Sequence, residues 1–371
     1  MEWSQVRALF PAASSTTYVN AAELPPASAL ALAAAQEHLD LLAQQGAPAY
    51  DHWDARREQV RAQVASLLGA EPAQIGFTAN TSHGMNLVAD RLRGRGEVLS
   101  MADEFPSTTL PWLHRGDRLR LLAAEDHRYS IERIADAIDE RTGVVVTSLV
   151  QFCTGFRQDL AALGDLCRDR GVALVVNATQ GVVATPIDLR RTPVDFMVFT
   201  GLKWPCAGFG VGVLYVHPRW LDPGRAPAAG WMSVEDPETM DNLGLTLRAD
   251  VAAVTELGCP AFPNIFALGG ALEMFEQIGL PRAQQRIRSL TSRLADGLRS
   301  IGASIISPWE PEHRSGIVVV DVAEPQRVVA ALRERQIICS TVRSRLRISP
   351  HVYNDEADID RLVAGLARLL P

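Results

Sequence analysis

Seven short apolar runs alternate with longer stretches of helical pattern from about residue 55 onward. They are IGFT (75–78), EVLSM (97–101), LRLLA (119–123), GVVVTSLV (143–150), ALVVN (173–177), DFMVFT (195–200) and GVGVLYV (210–216). Runs this short and this uniformly apolar are strands buried on both faces, and the segments between them are long enough to cross back over a sheet. The rhythm therefore predicts an α/β fold built on a mostly parallel, seven-stranded sheet with helices on both sides. Amphipathic segments at 51–70 and 159–171 fit the covering helices, the second closing on a glycine.

Beyond residue 216 the texture changes. A proline- and glycine-rich connection (217–238) leads to helical stretches at 264–279 and 282–301. Then come GIVVVDV (316–322), another helix, IICSTV (337–342), LRISP (346–350) and a last helix opened by NDEADIDRLV. This part reads as a smaller α+β domain. A chain of 371 residues can support two such domains.

The net charge of −7 leaves no electrostatic footprint for nucleic acid or an anionic membrane. The first twenty residues lack the basic start and apolar run of a signal peptide, and no segment has the apolar length of a membrane span, so a cytoplasmic protein is expected. Five dispersed cysteines, odd in number and never in CxxC spacing, suggest neither a disulfide framework nor a zinc site.

One residue stands apart. Of 36 lysines and arginines, 35 are arginine, and the single lysine is Lys203, in FTGLKWPCAGFG. A GC-rich gene explains the absence of lysines elsewhere but not the survivor. Arginine holds its proton at every accessible pH, whereas a desolvated lysine can shed it and attack a carbonyl as a free amine. Schiff-base chemistry at Lys203 is the working expectation, with a solvated lysine beside a strand as the alternative.

Open parallel sheets bind ligands beyond the carboxyl ends of their strands. Three such ends carry polar groups. FTANTSHG brings Asn80, Thr81, Ser82 and Gly84 to the start of a helix, where hydroxyls and free N–H groups can hold a phosphate, or where Thr81 or Ser82 simply caps the helix. ALVVNATQG ends on Asn177 and Gln180, and DFMVFTGLK on Thr200 and Lys203. Together these supply phosphate donors, a ring partner and an amine.

The order of these segments, with YVNAAELPPAS (18–28), DEFPSTTLPW (103–112), VQFCTGFRQDLAALG (150–164), GWMSVEDPE (230–238), GCPAFPN (258–264) and LRISPHVYN (346–354), resembles the class V aminotransferase superfamily. This is the fold type I group of pyridoxal 5'-phosphate (PLP) enzymes. The nearest branch is that of isopenicillin N epimerase-like proteins and cysteine-conjugate lyases. The resemblance implies a segment 1–17 packing with the small domain, a large PLP-binding domain at 18–263 and a small domain at 264–371. It also implies a homodimer with active sites near the subunit interface. Lys203 would form the Schiff base and later move protons at the substrate Cα. Thr81, Ser82 and Thr200 match phosphate-binding positions, Phe105 a ring that stacks on the pyridine, and Gln180 a partner of the phenolic oxygen. Arg347 matches the arginine that grips the substrate carboxylate, with Arg343 and Arg345 as reminders that it could be one more surface arginine. Asn20 and Gln151 are further candidates for touching substrate. Cys259 stands where relatives reach the phosphate across the dimer.

Two departures bear on mechanism. Relatives carry Asp at the position of Asn177, 26 residues before the lysine, and often His at the position of Leu202. A carboxylate keeps the ring nitrogen protonated and the cofactor a strong electron sink; an amide can only donate a hydrogen bond. Asn177 fits an elimination in which the leaving group departs as the proton is removed, a substitution introduced to trap a complex, or a protein that has kept the fold without catalysis. Cys339, on an apparent strand only eight residues before Arg347, leaves no room for the loop that carries a desulfurase's nucleophilic cysteine. The expected activity is β-elimination with cleavage of a carbon–sulfur or similar bond. Epimerisation, transamination, decarboxylation and a non-catalytic scaffold are the alternatives.

Overall fold

The computed structural model describes residues 1–222, 224 and 226–370. Pro223 and Arg225 of the connecting segment, and Pro371 at the end of the expected small domain, lie outside them. The seven apolar runs form one sheet: β1 (Ile75–Thr78), β2 (Glu97–Met101), β3 (Leu119–Leu122), β4 (Thr142–Ser148), β5 (Ala173–Asn177), β6 (Phe196–Thr200) and β7 (Gly212–Val216). Their spatial order is β1-β7-β6-β5-β4-β2-β3. β2 to β6 run parallel, and β7 is antiparallel to both its neighbours. Every residue of β1, β4, β5, β6 and β7 is buried, which is why these strands read as continuous rather than alternating apolar runs. The edge strand β3 is only partly covered.

Helices clothe the sheet. Ser28 caps α1 (Ala29–Gln45), accepting from the Ala31 N–H. α2 (Tyr50–Leu68) ends on Gly69 at φ +69°, where a side chain would also meet Asp188, so the turn needs glycine on two counts. α3 (Thr81–Arg91) follows β1, α4 (Pro106–His114) follows β2, and α5 (Leu160–Asp169) is capped by Asp159. α6 (Phe262–Ile278), which begins at the expected domain boundary, packs on α1 and α2, and α7 (Leu280–Ser300) packs on α8 (Glu356–Leu366).

The C-terminal part holds a four-stranded antiparallel sheet of β8 (Ser304–Ile305), β9 (Val318–Asp321), β10 (Ser340–Val342) and β11 (Arg345–Ile348), in the order β10-β11-β9-β8. The run 337–342 is not one strand. Ile337–Ile338 pairs in parallel with Thr17–Tyr18, whereas Ser340–Val342 turns back against β11 through Arg343 and Ser344, both at positive φ. Cys339 lies buried between the two pairings. The first residues are tied to the last: the Arg7 guanidinium donates to the Asp358 carboxylate at 2.5 and 3.3 Å and to the Tyr353 carbonyl. Among the described residues no helix is long and apolar enough to cross a membrane.

This topology decides where chemistry can occur. The carboxyl ends of β4, β5 and β6 lie side by side, with Ser148 in register with Asn177, and the starts of α3 and α4 face them.

Candidate active site

A cavity of about 230 Å³ opens at those strand ends. Thr81 and Ser82 line it from the first turn of α3, Phe105 and Ser107 from the start of α4, and Asn177, Gln180, Thr200 and Lys203 from the ends of β5 and β6. Residues far apart in sequence are thus gathered as their strand-end positions predict. The cap of α3 is Asn80, whose side chain accepts from the His83 N–H at 2.9 Å. That frees Thr81 and Ser82 from capping duty. The first-turn N–H groups, which a helix leaves without internal partners, sit beside their hydroxyls. The Thr81 hydroxyl meets that of Thr179 at 2.8 Å.

Lys203 lies three residues beyond the end of β6, its Nζ 5.6 Å from the centre of the Phe105 ring. Burial brings the amine down to about 8, the Arg347 charge pushes the same way, and Glu23 opposes both. A free amine is therefore accessible near neutral pH, which a solvated lysine would not offer. Phe105 in turn meets Phe152 edge to face at 5.3 Å.

The two strand-end amides are held firmly. Asn177 accepts from the Thr179 N–H at 3.0 Å and donates to the Thr108 hydroxyl at 2.9 Å, so its NH₂ end is fixed with one hydrogen to spare. Gln180 accepts from the Trp204 indole at 3.0 Å and donates to the Ala22 carbonyl at 2.8 Å. The Thr200 hydroxyl takes the Leu202 N–H at 3.2 Å.

Arg347 is 5% exposed, stands behind the cavity wall at Phe152, and among the described residues reaches only neutral partners: the Ser340 hydroxyl at 3.2 and 3.3 Å and the Phe152 carbonyl at 3.3 Å. Burial lowers its pKa. Arg343, by contrast, is half exposed and paired with Asp103. A buried guanidinium with long bonds to neutral groups is unlike a surface arginine, and a carboxylate is the partner it lacks.

Other expected residues fall elsewhere. Gln151 is buried but turned away from the cavity, its amide donating to Glu104 at 2.7 Å. Asn20 donates to Glu23 at 2.6 Å, and its amide oxygen is buried with no hydrogen-bond partner. Cys259 is exposed and lines a separate cavity with Thr78, His83 and Gly210. Sequence reasoning missed Ser107, Ser148, Phe152 and Thr179 in the wall, and Thr108 and Glu104 behind it. Glu104 is fully buried and accepts from the Ser148 N–H, the Ser148 hydroxyl, Gln151 and Thr147, at 2.5 to 3.2 Å. Burial raises its pKa while those donors pull it back. The end of β4 obeys the same rule as the ends of β5 and β6, so inspecting TSLVQF in the same way would have found Ser148.

A family profile, aminotransferase class-V, matches residues 38–362. The chain belongs to that family. Among class-V relatives, a probable cysteine desulfurase of Pyrococcus abyssi is 27% identical over 338 residues, spanning 84% of this chain and 83% of that protein. Isopenicillin N epimerase of Streptomyces clavuligerus is 30% identical over 345 residues, spanning 84% of each. The fold of the class-V chain is shared with a cystine C–S lyase, C-DES, solved in complex with its product cysteine persulfide. The TM-score is 0.88 at 25% identity, covering 98% of this chain and all of that one.

PLP suits the donor set of this class-V site. Thr81, Ser82 and Thr200 with the α3 N-terminus would hold its phosphate, Phe105 would offer a ring face, Asn177 and Gln180 amide hydrogens, and Lys203 the amine.

Proposed function

We propose that the chain is a PLP-dependent lyase that breaks a carbon–sulfur or similar bond at Cβ of an amino-acid conjugate by β-elimination. Its family and the C–S lyase likeness support this class of chemistry. The observation that carries the elimination reading is Asn177, a neutral amide held by Thr108 and Thr179 where a carboxylate would make a stronger sink.

Bound PLP supplies an aldehyde for covalent capture of amines and a conjugated ring that stabilises negative charge at the adjacent Cα. Arg347 grips the α-carboxylate and thereby orients the substrate in the cavity. The displaced Lys203 amine, poised near pH 8, takes the Cα proton. The Cα–H electron pair forms the Cα=Cβ bond as the Cβ–S bond breaks, and sulfur leaves with its pair as a thiolate that is then protonated. Water consumes the remaining fragment, so an S-substituted cysteine gives thiol, pyruvate and ammonia. A good leaving group relieves the demand on a sink weakened by Asn177.

A persulfide on the enzyme is not part of this proposal. Burial pushes the thiols of Cys153, Cys167 and Cys339 up to about 12, and Cys206 is raised further. We also propose a homodimer in which the exposed Cys259 loop of one subunit approaches the partner's phosphate end. The second reading is an epimerase, favoured by the 30% identity to isopenicillin N epimerase. Incubation of the PLP-loaded protein with S-substituted L-cysteines in deuterated water separates the two. Keto acid and free thiol support elimination; recovered amino acid, inverted and deuterated at Cα with no thiol released, overturns it.

A further inference from the structure

Gln180 is fixed in the cavity wall by two partners whose roles cannot be exchanged. The Trp204 indole N–H only donates, and it reaches Gln180 Oε1 at 3.0 Å. The Ala22 carbonyl only accepts, and it takes Gln180 Nε2 at 2.8 Å. Gln180 is 5% exposed, so turning the amide over would set donor against donor and acceptor against acceptor, out of reach of water. The oxygen is engaged by the indole, and the nitrogen keeps one unshared hydrogen. Asn177, in the same wall, is pinned in the same sense. Its oxygen takes the Thr179 main-chain N–H at 3.0 Å, and its nitrogen keeps one hydrogen after meeting Thr108.

Trp204 has little freedom to release Gln180. It is fully buried, and a side chain at Gly316 would collide with its ring. Its carbonyl lies 2.9 Å from His351 Nε2, and the His351 ring stacks on the indole at 5.4 Å and 29°. The residue that follows Lys203 is thus held by main chain and ring alike.

Two pinned donors have a consequence for PLP. Its ring edge matches them when the ring nitrogen is bare and the phenolic oxygen is ionised; a proton on either would set hydrogen against hydrogen. A bare nitrogen also withdraws less charge from the ring, which makes the phenol a weaker acid. In a site with Asn177, the phenolic anion therefore needs a donor held in place for it.

We infer that Trp204 is a positioning residue: by pinning the Gln180 oxygen it keeps an amide hydrogen toward the phenolic oxygen of PLP and so holds that oxygen as the anion. The inference rests on the reading of this cavity as a PLP site. Trp204 acts through Gln180.

Lysine-bound PLP reports the state of that oxygen, absorbing in the visible when it is anionic and in the near ultraviolet when it carries the proton. PLP-loaded wild type, Trp204→Phe, Gln180→Met and the double variant are compared by the ratio of visible to near-ultraviolet absorbance at neutral pH. Trp204→Phe, which removes the N–H, should lower the ratio about tenfold, the worth of one hydrogen bond to a charged group. Gln180→Met should lower it as much. Adding Trp204→Phe to Gln180→Met should change it by less than about twofold, because the indole then has no amide to orient. A ratio unchanged in Trp204→Phe overturns the inference. So does an equal fall in the Gln180→Met background, which would mean that Trp204 acts by packing alone. Should Trp204→Phe fail to fold, benzothienylalanine at position 204, with the shape of tryptophan and no N–H, decides by the same ratio. A wild-type protein that takes up no PLP overturns the inference together with the reading of the site. Turnover does not enter the ratio, so a failure of the elimination reading leaves this test intact.

Discussion

Replacing Asn177 by Asp tests the electronic argument through stability as well as chemistry. In the protein without cofactor, the new carboxylate would occupy a site 4% exposed. It keeps the Thr179 N–H and gains a rotated Thr108 hydroxyl as donors, but no cation. Burying an ion costs several kcal/mol, and two hydrogen bonds to a charged group each return about 1.5–3 kcal/mol, leaving a net loss of about 2 kcal/mol. Unfolding of a chain of 371 residues carries an entropy of about 0.8 kcal/mol/K, so the melting temperature should fall by about 2–3 °C at pH 8. Burial raises the folded-state pKa of such an acid above its unfolded value. The loss therefore grows as pH rises from the unfolded pKa through the folded one, and is smaller at pH 5 than at pH 8. With PLP bound, the carboxylate gains a protonatable ring nitrogen, so PLP should raise the melting temperature more in the variant than in wild type. Scanning calorimetry with and without PLP at both pH values is the assay. A variant as stable as wild type without cofactor, with no larger gain from PLP, would refute the reasoning.

Three further outcomes follow from the same geometry. Arg347→Ala should lower kcat/KM by about thirtyfold or more, since it removes a charge-assisted carboxylate contact; steady-state kinetics on a single S-substituted cysteine checks it. The rate at which cofactor-free protein takes up PLP should rise through about pH 8 as Lys203 loses its proton, and Arg347→Ala should move that midpoint upward by removing the neighbouring positive charge; stopped-flow absorbance against pH reads both. Glu104→Ala should cost about 3–5 kcal/mol of unfolding free energy in urea, because the Ser148 N–H, its hydroxyl and the Gln151 amide lose a buried acceptor together, and Glu104→Gln should cost less.

The sheet was legible because most of its strands are buried on both faces: ALVVN and IGFT carry no polar side chain before their last residue and appear with the same bounds in the structure. The rule that ligands gather at carboxyl ends then found Thr81, Asn177, Thr200 and Lys203 without any side-chain geometry. What escaped depends on contacts distant in sequence. Nothing local marks Glu104 as the acceptor for Ser148, 44 residues away, or Thr108 as the residue that orients Asn177, 69 residues away. Nor does anything local mark the Gln151 amide as a donor to Glu104, 47 residues away. The run IICSTV reads as one strand because its residues are uniformly suited to strands, but it pairs with two different partners, the N-terminal segment and β11. The resemblance to a family added roles that side-chain type alone does not assign, that of Arg347 among them.

The central claim is that Lys203 is the amine that bonds to PLP. The most direct test is the visible spectrum of the purified protein with PLP, before and after borohydride, followed by peptide mapping. The account predicts a visible band that borohydride removes, leaving a phosphopyridoxyl label on the peptide containing Lys203 and none in Lys203→Ala. A protein that gains no band with PLP, or a label that maps to another residue, would contradict it.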